Sequence, residues 1–313
     1  MPNTSAVKNL VKSKLTEGII ATLAFFDIYK LPVNAKRIWE LLYRVQASFQ
    51  EVELELIRLA RLNIIVYRDG LYALEDWDDK QYKENQQEIE KRWTRVRRYY
   101  WLLSAIPFVQ HVSVINSVAM GNADKDSDID FFVVTKPNRL YFVRSLIIVL
   151  FKLLGVYKNK SRTNMQFCFG FYITSDKLNI KEIMLPEEDP YLVFWMGTMT
   201  PIISLKYYEK FIKENKWIFA WLPNLRTMNR LEFYRKLHPS EMLKMTLELL
   251  CYIPAAIFEP LLRRIHVNHT FKLPENHWGT SSTVANKQML KLHALDPRKE
   301  IRQKFRTILN SLK

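Results

Sequence analysis

Residues 116–135 read NSVAMGNADKDSDIDFFVVT, a segment in which four aspartates at alternate positions run directly into an apolar stretch. Side chains at positions i and i+2 of a strand point to the same face of a sheet. Asp128 and Asp130 are therefore predicted to project together, while Ile129 and Phe131 face the core. Because adjacent carboxylates repel each other unless a cation lies between them, the segment predicts a strand that begins with a cation site.

A calcium-binding loop of the EF-hand type is one alternative for these aspartates. Counted from Asp124, the positions where that loop needs a glycine and an acidic residue are Ile129 and Thr135, which argues against calcium. A solvated turn is the other alternative, because Asp-x-Asp is common by chance, as at Asp76 and Asp78. Mg²⁺ fits the pair better, since it prefers oxygen ligands and keeps substrate phosphate in its coordination shell.

The residues before the aspartates favour phosphate binding. The segment QHVSVIN alternates like a strand, and Ser117 to Gly121 can form a short helix after it. The hydroxyl of Ser117 and the free amides of that helix can hold phosphate. Gly121 permits either a close approach of the backbone to a ligand or a left-handed helix end, and both interpretations stay open.

These residues together resemble the signature of the polymerase-beta-like nucleotidyltransferases. That signature is a strand, Gly-Ser, a glycine two or three residues later, and a second strand that opens with Ser-Asp-hydrophobic-Asp. The resemblance covers roughly residues 107–180, and the matching positions are Ser117, Gly121, Ser127, Asp128, Ile129 and Asp130.

The resemblance implies transfer of a nucleoside monophosphate from an NTP, such as ATP, to an acceptor with Mg²⁺ or Mn²⁺ as cofactor. It implies that Asp128 and Asp130 are the catalytic and metal-binding residues. It also implies nucleotide binding by Asn116, Ser117, Gly121 and Ser127.

Three positions depart from the signature. Asn116 replaces the first glycine, and Met120 replaces an arginine that many members have. The third carboxylate, which acts in the family as general base on the acceptor hydroxyl, is expected on a later strand, where MQFCFGFYIT offers Cys168 and Gly170. A carboxylate introduced at Gly170 is expected to complete the site. A catalytically degenerate nucleotide- or RNA-binding module is therefore the second interpretation.

The whole chain is predicted to be an α+β protein in three parts. Residues 1–80 read as three helices and a hairpin around Asp69-Gly70, an order that resembles a winged helix. Residues 81–190 combine a leading helix with a small mixed-sheet nucleotidyltransferase core. Residues 191–313 look helical and form the C-terminal region.

Charge favours polyanionic partners for the second and third parts. Residues 1–80 carry 11 Lys or Arg and 11 Asp or Glu, so the whole net charge of +15 lies in residues 81–313. Such an excess predicts RNA or another polyanionic acceptor. DNA is disfavoured because the third predicted helix carries Glu51, Glu53 and Glu55, which repel phosphate. A winged-helix transcription regulator is the third interpretation.

Two basic clusters are secondary candidates. The leading helix turns basic at Lys91, Arg92, Arg95, Arg97 and Arg98, and this cluster reads as a solvated helix face. The loop after the core helix carries Lys158, Lys160 and Arg162, which can meet a triphosphate or an RNA backbone, or remain solvated.

A cytoplasmic protein without a membrane span is expected. The longest apolar runs, RLYFVRSLIIVLFKLLGVY and LELLCYIPAAIFEPLL, are interrupted by charged residues or prolines and predict buried helices. No secretory signal is evident at the N-terminus. Cys168 and Cys251 are predicted to be packed free thiols, which suits a reducing compartment.

Overall fold

The first part of the chain folds into three helices and a small antiparallel sheet. The structure, a computed structural model, describes residues 13–158, 163–225, 241–272, 283–292 and 296–311. The first elements are α1 (Lys14–Asp27), β1 (Val33–Asn34), α2 (Ala35–Glu40), α3 (Phe49–Arg61), β2 (Val66–Arg68) and β3 (Leu71–Ala73). The strands pair in the order β1-β3-β2. This is the element order of a winged helix, and that assignment stays a prediction.

Local sequence signals explain where these elements begin and turn. The Asn34 side chain accepts a hydrogen bond from the Arg37 amide and so caps α2. Ser48 and Glu51 form the reciprocal hydrogen bonds of a capping box at the start of α3. Asp69-Gly70 turns the β2–β3 hairpin with positive φ angles of 51° and 81°. The predicted caps and hairpin are confirmed.

A larger mixed sheet forms the centre of the protein. Its first elements are α4 (Asp79–Ala105), β4 (Val109–Ile115), α5 (Asn116–Met120), β5 (Ile129–Thr135), α6 (Leu140–Leu153) and β6 (Phe167–Thr174). Strands β4 and β5 are antiparallel, whereas β5 and β6 are parallel and joined through α6. The predicted α+β class and the order strand, turn, strand, helix, strand are confirmed.

The C-terminal region is mostly helical, but it also completes the sheet. It contains α7 (Pro190–Thr198), β7 (Thr200–Ile203), α8 (Leu205–Glu214), α9 (Glu241–Phe271), β8 (Thr283–Ala285), β9 (Met289–Leu292) and α10 (Arg298–Ser311). The six strands lie in the order β7-β4-β5-β6-β9-β8. The prediction of helices alone after Tyr191 therefore missed three strands. These strands are too short to show an alternation of apolar and polar residues in the sequence. They form by pairing with the edges of the central sheet.

Helices cover both faces of the large sheet. On one face, α4, α6 and α9 contribute to a core that includes Phe131 and Phe167. On the other face, the first 80 residues share a core with α7, α8 and α10, in which Phe25 stacks on Phe194 at 4.0 Å. Phe132 of β5 belongs to this second core. The domain boundaries at residues 80 and 190 stay a prediction.

Helix α9 corrects one of the predictions. The run LELLCYIPAAIFEPLL, residues 247–262, was expected to be a buried helix, but only Ala255 and Glu259 are buried within it. Glu259 accepts hydrogen bonds from the amides of Tyr141 and Phe142 at 3.0 and 2.7 Å and so caps α6. The acidic residues that interrupt the run thus face the protein, and the apolar residues face outward.

Helix α9 is also long and apolar enough to cross a membrane by length and composition, a test that core helices of soluble proteins also pass. Only 11% of its most apolar window is buried, so α9 is not a core helix. The other apolar run forms α6, which buries one face as predicted.

Replacing Glu259 by alanine tests how α9 is held. Glu259→Ala leaves two buried amides of α6 without an acceptor and is expected to lower the free energy of unfolding by about 1–3 kcal/mol. Glu300→Ala, which removes a glutamate with a 68% exposed side chain, is the control and is expected to cost less than about 0.5 kcal/mol. Chemical denaturation measures both. Equal losses would contradict the inward orientation of Glu259.

Candidate active site

Three potential metal ligands converge where β4 ends and β5 and β6 begin. Asp130 pairs with Ile115 of β4 on one side and with Cys168 of β6 on the other. One ligand atom from each of Asp128, Asp130 and Cys168 lies within 4.8 Å of the others. Ile129 is fully buried on the opposite face. The predicted geometry of the aspartate pair is confirmed, whereas its catalytic and metal-binding roles stay predictions.

Cys168, rather than Gly170, occupies the strand position beside the carboxylates. The β5–β6 register advances by two residues on β5 and by three on β6 after the Asp130–Cys168 pair, which is the signature of a β-bulge. A Cβ atom on Gly170 would lie 3.3 Å from the Leu292 carbonyl oxygen, a tight contact with the backbone of β9. The expectation that a carboxylate belongs at Gly170 is therefore corrected to Cys168.

Asp130 is held in a partly buried polar environment. Burial raises its pKa to about 6, and the neighbouring charge of Asp128 adds to this rise. Hydrogen bonds from the Asn116 side chain and the Cys168 thiol oppose the shift. The same Asn116 side chain accepts a hydrogen bond from the Tyr191 hydroxyl at 3.2 Å. Asn116 thus ties the start of α5 to the carboxylate.

The backbone of Asn116 accounts for a departure from the family signature. Its φ angle is 55°, in the left-handed region that glycine adopts most easily. Asparagine is one of the few other residues that tolerate this conformation. Asn116 can therefore replace the first glycine of the signature without a different chain path.

Lys158 lies directly at the carboxylate pair. Its ammonium Nζ is 2.5 Å from Asp128 Oδ2. Burial lowers the pKa of Lys158, but Cys168 and the two aspartates raise it more, so its net pKa lies above the ordinary value. The lysine is therefore a cation that balances the aspartates. Lys160 and Arg162, which were grouped with it from the sequence, lie outside the described residues.

The Asp128–Asp130 pair suits a divalent cation. Cys168, which lies beside the pair where the signature leads us to expect a third carboxylate, suits it less well. Asp128 Oδ2 is buried and contacts the Lys158 ammonium, and a carboxylate oxygen with one such partner keeps a lone pair for a further ligand bond. Burial raises the pKa of Cys168, and Asp130 and Asp128 raise it further, which keeps its thiol neutral. A neutral thiol is a poor Mg²⁺ ligand. The residues present therefore offer two oxygen ligands and leave the family's third carboxylate unreplaced.

The other residues predicted to bind nucleotide lie in α5, at its end and in the loop before β5. Ser117 lies in α5, and Gly121 ends that helix with a φ angle of 87°, which bears out the left-handed interpretation. The Ser127 hydroxyl donates to Asp124 Oδ1 at 2.7 Å and so stabilises the loop before β5. Nucleotide binding by these residues stays a prediction.

Two arginines hold the loops of the site in place. Neither of them was assigned to the site from the sequence. Arg92 was included in a cluster predicted to be solvated, but it is fully buried and donates to the Ser127 carbonyl at 2.7 Å. That part of the prediction is wrong, because a long helix facing a loop rich in free carbonyls can bury a paired guanidinium. Arg37 of α2 donates to the Met120 carbonyl at 2.7 Å, at the end of α5.

Comparison with known families agrees with this geometry. Residues 109–248 match the family described as nucleotidyltransferase domain, and this range contains β4, α5, β5 and β6. The similarity to a nucleotidyltransferase domain thus extends over 140 of the 313 residues. The match is consistent with membership of the polymerase-beta-like superfamily, as the sequence signature implied. Neither the search of curated proteins nor the search of solved structures gives a significant match.

Metal binding at the pair should depend on pH in a defined direction. The pKa of Asp130 is raised to about 6, above the pKa of this group in the unfolded chain. Its contribution to the stability of the metal-free fold is therefore fully present when the pH is below the pKa of the unfolded chain, and it is lost as the pH rises through 6. Mg²⁺ or Mn²⁺ competes with this proton, so either ion should raise the melting temperature more at about pH 7.5 than at about pH 5.

Asp130→Asn is expected to abolish the metal-induced shift at both pH values. Asp126→Asn, which changes an exposed aspartate of the loop before β5, is the matched control and should retain the shift. A metal-induced shift of the same size in Asp130→Asn and the unmodified protein would place the cation elsewhere.

Proposed function

We propose that the protein is a divalent-cation-dependent nucleotidyltransferase that moves a nucleoside monophosphate from an NTP to an acceptor and releases pyrophosphate. The observation that carries this proposal is the Asp128–Asp130 pair at the sheet end, inside the range that matches the nucleotidyltransferase domain. Mg²⁺ or Mn²⁺ is the proposed cofactor, and the cytoplasm is the proposed compartment.

The residues of the site have distinct proposed roles in this reaction. Asp128 and Asp130 hold the cation, which when bound polarises the α-phosphate and neutralises charge that develops during transfer. Ser117 and the amides of α5 bind the β and γ phosphates. Lys158, which pairs with Asp128 in this structure, would bind a phosphate oxygen of the NTP instead. Binding and orientation then account for most of the rate enhancement, as is usual for phosphoryl-type transfer.

The acceptor is proposed to be RNA or another polyanion. The support is the excess of positive charge in residues 81–313, which carry the whole net charge of +15. We propose that the first 80 residues pack against the rest of the chain rather than bind DNA. They share a core with α7 and α10, and Arg37 reaches the end of α5.

A degenerate nucleotide-binding module is the second candidate, and two observations favour it. Cys168 stands beside Asp130 in place of an acid, and Lys158 already neutralises Asp128. Such a module would bind NTP without transferring NMP. A winged-helix regulator remains the third candidate.

Label transfer distinguishes these candidates. The protein is incubated with α-labelled NTPs and with separate fractions of cellular RNA, protein or metabolites, in Mg²⁺ and in Mn²⁺. A transferase is expected to label one fraction, and Asp128→Asn is expected to reduce the label by at least about 10²-fold because it removes a metal-facing charge. Label in no fraction, together with NTP binding, would favour the degenerate module instead.

Replacing the Cys168 thiol by a carboxylate tests whether the site needs a third acid. Cys168→Asp is expected to raise Mg²⁺-supported transfer by about tenfold or more, because it supplies a carboxylate to the metal and to the acceptor hydroxyl. Cys168→Ser, which removes the thiol without adding an acid, is the matched control and should not show the gain. Equal rates in both variants would mean that no third acid is needed at this position.

A further inference from the structure

The outward face of α9 is an extended apolar surface. Between Met242 and Leu261, a fully described stretch, no exposed residue is charged. The lysine and glutamates within this stretch are turned inward. The large apolar side chains that are at least half exposed include Leu249 at 78%, Leu250 at 68%, Ile253 at 67% and Ile257 at 65%. A contiguous surface of this kind marks a binding site for a protein or a membrane.

A groove that carries positive charge opens beside this apolar face. It has a volume of about 770 Å³ and lies between the loop after β5 and the first half of α9. Arg139 contributes to its lining, with its guanidinium carbon 5.3 Å from the Phe108 ring centre and 5.4 Å from that of Tyr252. Within the described residues, Arg139 forms no ion pair with a carboxylate and donates to the Asn138 carbonyl at 2.8 Å.

Further basic residues flank the apolar face. Lys136 lines the groove, where it pairs with Glu248 at 2.6 Å and keeps 43% of its side chain exposed. At the other end of α9, Arg264 and Lys272 are exposed. The exposed acidic residue on this helix is Glu241, at its first position. Apolar side chains bordered by cations are typical of a helix that binds an anionic lipid surface.

The attachments of α9 determine how it can meet a bilayer. Glu248 accepts from the Phe108 amide at 3.0 Å, and Glu259 accepts from the first amides of α6. These contacts hold the helix along the side of the sheet through its middle, so it cannot cross a membrane without leaving the domain. It can instead lie in the plane of the interface, with its outward face in the acyl region.

We propose that the outward face of α9 and the Arg139 groove form a docking site for an anionic phospholipid bilayer. The apolar side chains enter the acyl boundary, while Arg139 and the other flanking cations bind headgroup phosphates. The inference goes beyond nucleotidyl transfer and does not depend on it. A second copy of the chain fits this surface less well, because two copies related by a two-fold axis would bring their basic flanks together.

Vesicle sedimentation with the full chain tests the site. The protein should bind vesicles of phosphatidylcholine mixed with phosphatidylglycerol, bind phosphatidylcholine alone much more weakly, and dissociate as salt is raised. Ile253→Glu is expected to lower the partition coefficient by at least about tenfold. Leu54→Glu on α3, at a similar exposure of 69%, is the control and should leave it unchanged.

The groove has its own test. Arg139→Gln is expected to weaken binding to phosphatidylglycerol vesicles by about fivefold, the contribution of one basic residue near an anionic surface. Arg61→Gln, at an exposed arginine of α3, is the matched control. Thermal unfolding verifies that each variant is folded, and the comparison of the two vesicle types needs no variant.

Three outcomes would overturn the proposal. The first is no preference for phosphatidylglycerol vesicles in the unmodified protein. The second is a dimer by sedimentation velocity that Ile253→Glu dissociates, without vesicle binding, which would assign the face to a second copy. The third is bound protein that only detergent releases, which would indicate a spanning helix.

Discussion

Repulsion between the Asp128 and Asp130 carboxylates is the constraint on which the site depends. Their spacing at the start of β5 places both on one face of the sheet, and burial of Asp130 weakens the screening between them. Three positive charges can relieve the repulsion: the Lys158 ammonium, a proton on Asp130, or a divalent cation. The lysine and the proton stabilise the metal-free fold. The divalent cation occupies the site in the proposed active state. In the proposed function, cation binding replaces a lysine and a proton.

The surrounding fold keeps the two carboxylates in place despite this repulsion. Arg92 fixes the loop before β5 through the Ser127 carbonyl, and Arg37 fixes the end of α5. Asn116 connects α5 to Asp130 through a backbone conformation that suits asparagine or glycine. Because Arg37 belongs to the first 80 residues, that segment contacts the end of α5 as well as packing on the sheet. The N-terminal segment therefore helps to hold the loops around the site.

Local patterns predicted much of this structure, because they depend on neighbours in sequence. The aspartate pair follows from the two-residue period of a strand, and the caps and the Asp69-Gly70 hairpin follow from side-chain chemistry. What the sequence did not predict depends on partners far along the chain. Cys168 was separated from Gly170 only by the register of β5 on β6, which includes a bulge. The outward orientation of α9 was missed because Glu248 and Glu259 face inward through hydrogen bonds from backbone amides that are far away along the chain.

The proposed function requires the carboxylate pair to bind a divalent cation together with NTP. Titration of the protein with Mn²⁺, followed by electron paramagnetic resonance with and without a non-hydrolysable NTP analogue, measures this directly. We expect one tight Mn²⁺ site whose affinity increases when the analogue is present, because phosphate oxygens complete the coordination shell. We also expect Asp128→Asn to lose that site. Mn²⁺ affinity that is the same in Asp128→Asn and in the unmodified protein would show that the cation binds elsewhere.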